Sequence, residues 1–112
     1  MRVSAANSRF YWRVGWGSGY VDILSSTGVL NDQWHHVVCR RQGETLSLWI
    51  DGTVHDTRTN SDYTKNLFGS SWSVRAIGQT YGTYLSDWPF DMADLRAYDR
   101  AITDGEIAAL SP

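Results

Sequence analysis

Apolar and polar residues alternate in short runs along this chain, and turn-forming residues separate the runs. Phe10 to Val14 is an aromatic, β-prone run that stops at Gly15, and Gly15 to Gly19 reads as a turn. Tyr20 to Ser25 is a second run with Val21 and Ile23 on one face, followed by a loop from Ser26 to Gln33. Trp34 to Arg41 predicts a third strand, with Gln42-Gly43-Glu44 as a three-residue reversal. Thr45 to Ile50 predicts a fourth, with Leu46, Leu48 and Ile50 on one face and Ser47 and Trp49 on the other. Asp51-Gly52 follows at once and supplies the positive φ angles of a type I′ turn, so a second hairpin is the strongest local signal in the chain. Asn60 to Ser71 reads as a long polar connection, Trp72 to Ile77 as another strand, and Gln79 to Pro89 as a loop. Phe90 to Tyr98 alternates again, with Ala93, Leu95 and Ala97 on one face. Helical signals gather only at the tail, where Thr103 with Glu106 fits a capping box and Ile102 with Ile107 fits the hydrophobic staple beside it. About seven short strands and one short C-terminal helix predict an all-β fold, an antiparallel β-sandwich or jelly roll.

Composition sharpens this picture. A chain of 112 residues predicts a single domain over 1–112, and 42% hydrophobic residues suffice for a packed core. Six tryptophans and six tyrosines, with ten glycines, suggest a β-rich fold with tight turns. A formal net charge of -2, with Arg9, Arg13, Arg40 and Arg41 sparse and offset by acids, gives no basic stripe, so nucleic acid is not an expected partner. No apolar stretch is long enough to span a bilayer, and the N-terminus lacks the apolar core of a signal peptide. The single Cys39 excludes an intrachain disulfide framework. No P-loop, nucleophile elbow or dinucleotide fingerprint is present.

Two segments carry a resemblance. Asp32-Gln33-Trp34-His35-His36-Val37-Val38, followed by Leu46-Ser47-Leu48-Trp49-Ile50-Asp51-Gly52, resembles the central signature of concanavalin-A-like jelly rolls of the laminin-G-like type. The run from Phe90 to Ile102, with Glu106 to Leu110, resembles the closing strand and helix of the same family, and Arg75-Ala76-Ile77-Gly78 fits its intermediate strand. The resemblance implies a β-sandwich and a non-enzymatic binding module with a glycan or glycoconjugate as partner. It also implies an extracellular, cell-surface or virion-associated setting. Relatives carry more sequence before the Trp-His-His segment, which predicts a sandwich short of one or two N-terminal strands. Self-association or a longer chain would then complete it.

Several constellations could carry chemistry. Trp16, Tyr20, Trp72, Tyr81, Tyr84 and Trp88 lie in or beside expected turns, where aromatic planes can stack on sugar rings, and Gln79, Thr83 and Asp87 offer hydrogen bonds to hydroxyls. The competing reading is that these rings pack loops onto the sandwich. Asp87, Asp91 and Asp94 fall within eight residues and form a candidate calcium-ligating set, against the alternative that each caps a turn. Many relatives of the resembled family bind structural calcium near the ligand face. Glycoside hydrolysis needs two facing carboxyl groups, and the chain holds two glutamates, Glu44 in a hairpin and Glu106 as a helix cap. Asp91 and Asp94, three apart on an expected strand, would point to opposite faces, so an enzyme is not expected. His35 and His36, adjacent on an expected strand, would likewise diverge and so not share a metal; the resemblance gives them a structural role. The leading alternative to a lectin is a structural, assembly or adhesion domain whose aromatic face is a subunit interface.

Overall fold

A computed structural model describes residues 2–4, 9–16, 19–29, 31–64 and 91–111. The chain divides into two compact units, residues 1–67 with 98–112, and residues 68–97. The first unit contains strands β1 (Arg2–Ser4), β2 (Arg9–Trp16), β3 (Gly19–Leu24), β4 (Val37–Gln42), β5 (Thr45–Ile50) and β6 (Thr53–Thr59), a 3-10 turn (Ser61–Thr64) and helix α1 (Asp104–Leu110). The strands form two antiparallel sheets of three, ordered β1-β2-β3 and β4-β5-β6. This is an antiparallel β-sandwich of the jelly-roll kind with one short C-terminal helix, as the sequence predicts.

The two inner faces follow from strand periodicity. Along β2 the even-numbered residues Phe10, Trp12, Val14 and Trp16 join the core, together with Val21 and Ile23 of β3. Leu46, Leu48 and Ile50 of β5 answer them from the other sheet. Leu46 and Leu48 have no exposed surface, and each such burial removes about 2 kcal/mol worth of apolar surface from water. The 3-10 turn adds Tyr63, whose ring meets Trp16 edge-on at 5.6 Å between centroids. Trp16 in turn lies over Gly19, its cross-strand partner, where an added Cβ would sit 3.0 Å from the indole. A side chain at position 19 would displace that indole.

Turn chemistry sets the registers. Asp51 and Gly52 both have positive φ, 51° and 79°, as a type I′ turn requires, and Ile50 pairs with Thr53. The β4–β5 hairpin is tighter than the sequence suggests. Gln42 pairs with Thr45, so the loop is Gly43-Glu44 alone, with Gly43 at φ 58° as a type II′ turn demands of its first central residue.

A register shift in the β5–β6 pair then leaves His55 as an extra residue between Val54 and Asp56. The bulge turns two successive side chains toward the other sheet. Asp56 Oδ2 accepts the Leu24 amide at 2.9 Å, and His55 Nδ1 accepts the Ser26 amide at 3.1 Å. Both amides lie on the side of β3 that faces away from β2, so the bulge caps a sheet edge and ties the two sheets together.

The tail covers the outer face of the second sheet. Arg40 Nη1 donates to the Ile102 carbonyl at 3.0 Å and to Asp104 Oδ1, while its guanidinium lies 5.0 Å from the Trp49 ring centre. Trp49 Nε1 donates to Ser47 Oγ, and Ser47 is buried although it points away from the core. The capping box forms: Thr103 Oγ1 accepts the Glu106 amide, and Glu106 Oε2 accepts the Thr103 amide. Both staple residues, Ile102 and Ile107, are buried.

The expectation of a strand over 90–98 is corrected. Residues 91–98 have no regular secondary structure, and Met92, Leu95 and Tyr98 are exposed. Alternation needs a paired face to act on, and here one large aliphatic side chain, Leu95, shares its face with two alanines. The expected strand at 72–77 lies outside the described residues.

Candidate functional site

The residues expected to bind a ligand, Trp72, Gln79, Tyr81, Tyr84, Asp87 and Trp88, lie outside the described residues. Of the candidate metal ligands, Asp91 and Asp94 are described and exposed. Asp94 adopts φ 53°, and both its carboxylate oxygens accept from Arg96, at 2.9 and 2.8 Å. A carboxylate held in this bidentate way has lost its easiest coordination sites to an internal cation. Among the described residues no group of three or more His, Cys, Asp and Glu side chains converges on a metal position.

A different cluster forms where β4 begins. The sequence places Trp34, His35 and His36 inside a strand, but β4 starts only at Val37. The reason lies in the register. Pairing outward from Gln42 and Thr45 brings Val37 opposite Ile50, and β5 then enters its turn. Residues 34–36 therefore overhang the ladder. Asp51 catches this overhang: its Oδ1 accepts the His36 amide at 2.8 Å, its own amide donates to the His36 carbonyl at 2.8 Å, and its Oδ2 accepts His35 Nδ1–H at 2.7 Å. His35 Nε2 lies 2.9 Å from Asn31 Oδ1, which closes the network onto the preceding loop. Asp32 sits in that loop in the left-handed region, at φ 60°. Burial pushes the Asp51 carboxyl up, but the His35 hydrogen bond, the His36 amide and the attraction of both rings outweigh it, so the group titrates below the usual carboxylate range.

The loop is thus held by a polar network, yet its aromatic side chain is left outside. Trp34 is 70% exposed. Trp12, Trp16 and Tyr63 pack in or against the core. Tyr20, 63% exposed on the outer face of the first sheet, has one face taken by the Arg13 guanidinium 4.1 Å away. Arg13 is itself bound bidentately by Asp22 across the β2–β3 pair. Sequence periodicity places Trp34 in a strand and so does not mark it as a binding residue. Counting the hairpin arms outward from the β4–β5 turn shows that residues 34–36 have no partner in β5. Elsewhere, a shallow open recess of about 300 Å³ is lined by Arg41, Gln42, Gly43, Thr64 and Ala101. Arg41 enters it with Nη1 donating to the Tyr63 carbonyl.

Two antiparallel sheets closed over a core of aliphatic and aromatic side chains are the architecture of lectin-like β-sandwiches. The chain belongs to the concanavalin A-like lectin/glucanases superfamily: a laminin-G-type family model so described matches residues 1–108. The structure is also similar to the crystal structure of an S-layer domain-containing protein from Clostridium thermocellum. The TM-score is 0.65 and the identity 26%, over 93% of this chain and 51% of that one. The chain thus spans about half the length of that structure. No curated protein sequence matches it significantly. Among the described residues no helix is long and apolar enough to cross a membrane.

Proposed function

We propose that this chain is a non-enzymatic carbohydrate-binding module that stacks aromatic side chains on sugar rings. The observation that carries the reading is the surplus of aromatic surface on a lectin-superfamily scaffold: the core takes Trp12, Trp16 and Tyr63, while Trp34 remains largely exposed on a hydrogen-bonded loop. A large flat ring kept in water at an ordered position is costly unless something covers it. The loop residues Trp72, Gln79, Tyr81, Tyr84, Asp87 and Trp88 belong to the same proposal as further stacking and hydrogen-bonding groups. Glu106 supports the absence of hydrolysis, since its carboxylate is engaged by Arg100 and the Thr103 amide. Calcium binding through Asp87 and Asp91 is a separate part of the proposal.

A glycan-array screen of the purified protein, in calcium and again in EDTA, tests it. Binding to a defined glycan set is the expected result. Loss in EDTA would assign calcium a part, and silence in both conditions would remove the carbohydrate reading. The similarity to an S-layer domain-containing protein favours a second reading, a cell-surface assembly domain whose aromatic surface contacts protein. A silent array with concentration-dependent association in sedimentation would establish that alternative.

A further inference from the structure

The loop before β4 has the chemistry to do more than close a sheet. Its internal bonds occupy one oxygen of Asn31, both ring nitrogens of His35 and one lone pair on each oxygen of Asp51. What remains is a mixed set. The half of the Asn31 amide turned away from His35, the Trp34 indole N–H and the Asp32 carboxylate have no hydrogen-bond partner among the described residues, and the Asp51 side chain is 44% exposed. Donors and acceptors therefore share with an exposed indole one segment of five residues and the turn bonded to it. Hydroxyl groups, which donate and accept at once, are the complement of such a set. A flat ring with C–H groups on its face is the complement of the indole. The segment carries two carboxylates; Asp51 is paired with His35, while Asp32 has no cationic partner among the described residues, and no Lys or Arg lies between residues 31 and 36 or at 51–52.

We propose that Trp34, together with Asn31, Asp32 and Asp51 of the same loop and its bonded turn, is a binding site for neutral pyranose units with equatorial hydroxyls, and that it disfavours acidic sugars. This inference rests on the carbohydrate reading above and assigns it a site and a ligand class. Equatorial hydroxyls leave the ring face flat for stacking and direct the oxygens outward toward groups beside the indole. Uronic or sulfated sugars would bring a further negative charge against Asp32. The network holds the loop in place before any ligand arrives, so binding does not have to order it.

The experiment is a fluorescence and calorimetric titration of the whole chain with cellohexaose, and with hexagalacturonate as the acidic counterpart, both in EDTA. The expected result is cellohexaose binding that weakens about tenfold or more in Trp34→Ala, with a smaller loss in Asn31→Ala. Hexagalacturonate is expected to bind at least about tenfold more weakly than cellohexaose at low salt. Trp34 is exposed, so its replacement should leave the melting temperature unchanged and the comparison clean. If Trp34→Ala binds cellohexaose as the parent chain does, the site is elsewhere: the inference falls and the carbohydrate reading stands. Tighter binding of hexagalacturonate also overturns the inference, and likewise leaves that reading intact. If the parent chain binds neither sugar and is silent on the array, both fall. If Trp34→Ala instead dissociates an oligomer of the parent chain, the ring is a contact between copies and the inference is overturned.

Discussion

Two regions of the first unit use the same device to different ends. At the start of α1, Glu106 accepts the Thr103 amide and both Arg100 nitrogens; at the β5–β6 turn, Asp51 accepts the His36 amide and His35 Nδ1–H. Each is a carboxylate that joins a backbone N–H to a basic side chain. Around Glu106 the arrangement is closed: it sits between two buried isoleucines of a hydrophobic staple, and its anionic oxygens face a bidentate arginine. Around Asp51 the network holds a loop that leaves its tryptophan exposed and half of the Asn31 amide without a partner. The same carboxylate chemistry therefore ends an element in one place and presents a surface in the other. The difference lies in what lies next to it: buried aliphatic residues at the helix, an exposed tryptophan at the loop.

The largest effect that would sharpen this comparison is the removal of the helix's apolar anchor. Ile107 has no exposed surface, and Ile107→Ala should cost about 3 kcal/mol through lost burial and a cavity. Urea unfolding should show this as a lower midpoint with an unchanged slope. Sugar binding by the fraction still folded should not change. A cost below about 1 kcal/mol would mean that α1 is held by its cap and by Arg40 rather than by its apolar face.

Next comes the loop. Asp51→Ala removes two hydrogen bonds to a charged acceptor and frees the overhang of residues 34–36. The cost should be about 1.5 kcal/mol, toward the low end for bonds to a charged group because the side chain is partly in water. Cellohexaose binding should fall along with it, because the indole would no longer be held in one place. A variant that loses stability but keeps full binding would show that Asp51 closes the sheet and does not position Trp34.

These two regions also differ in how far the sequence exposes them. The capping box and staple span six residues, Ile102 to Ile107, so local pattern is enough to find them. The Asp51-Gly52 turn is equally local, and the alternation in β5 placed Leu46, Leu48 and Ile50 in the core. The His35–Asp51 contact joins residues 16 apart, and recognising it requires the β4–β5 register. That register was misjudged by one loop residue, because Gln42 was assigned to the turn while it pairs with Thr45. The bulge at His55 leaves no mark in the alternation, since it is a property of the pairing and not of one strand. For residues 91–98 the pattern suggested a strand, but it carries too little apolar surface on one face to specify one. The resemblance to laminin-G-like jelly rolls identified the family without any of this detail, because its two motifs lie on the hairpin and on the tail.

The smallest effect separates the two carboxylates by pH. Arg100 and the Thr103 amide hold Glu106 down to about 2, from an ordinary 4.5. A group whose pKa is lower in the folded state stabilises the fold fully above the unfolded value and loses that contribution as pH falls through the folded one. The Glu106 contribution is therefore intact above pH 4.5 and is lost between about 4.5 and 2. Asp51 has the same sign, with its loss beginning lower, below its ordinary 3.8. The melting temperature should fall across this window. Glu106→Gln should flatten the fall from pH 4.5 down to about 2, while Asp51→Asn should flatten it only below 3.8. Both effects should be modest, since both groups face water and salt screens them. If Glu106→Gln keeps the full slope of the parent chain between pH 4.5 and 3, the Arg100 pair is not retained in solution. The contrast between a closed cap and an open loop would then rest on burial at Ile107 alone.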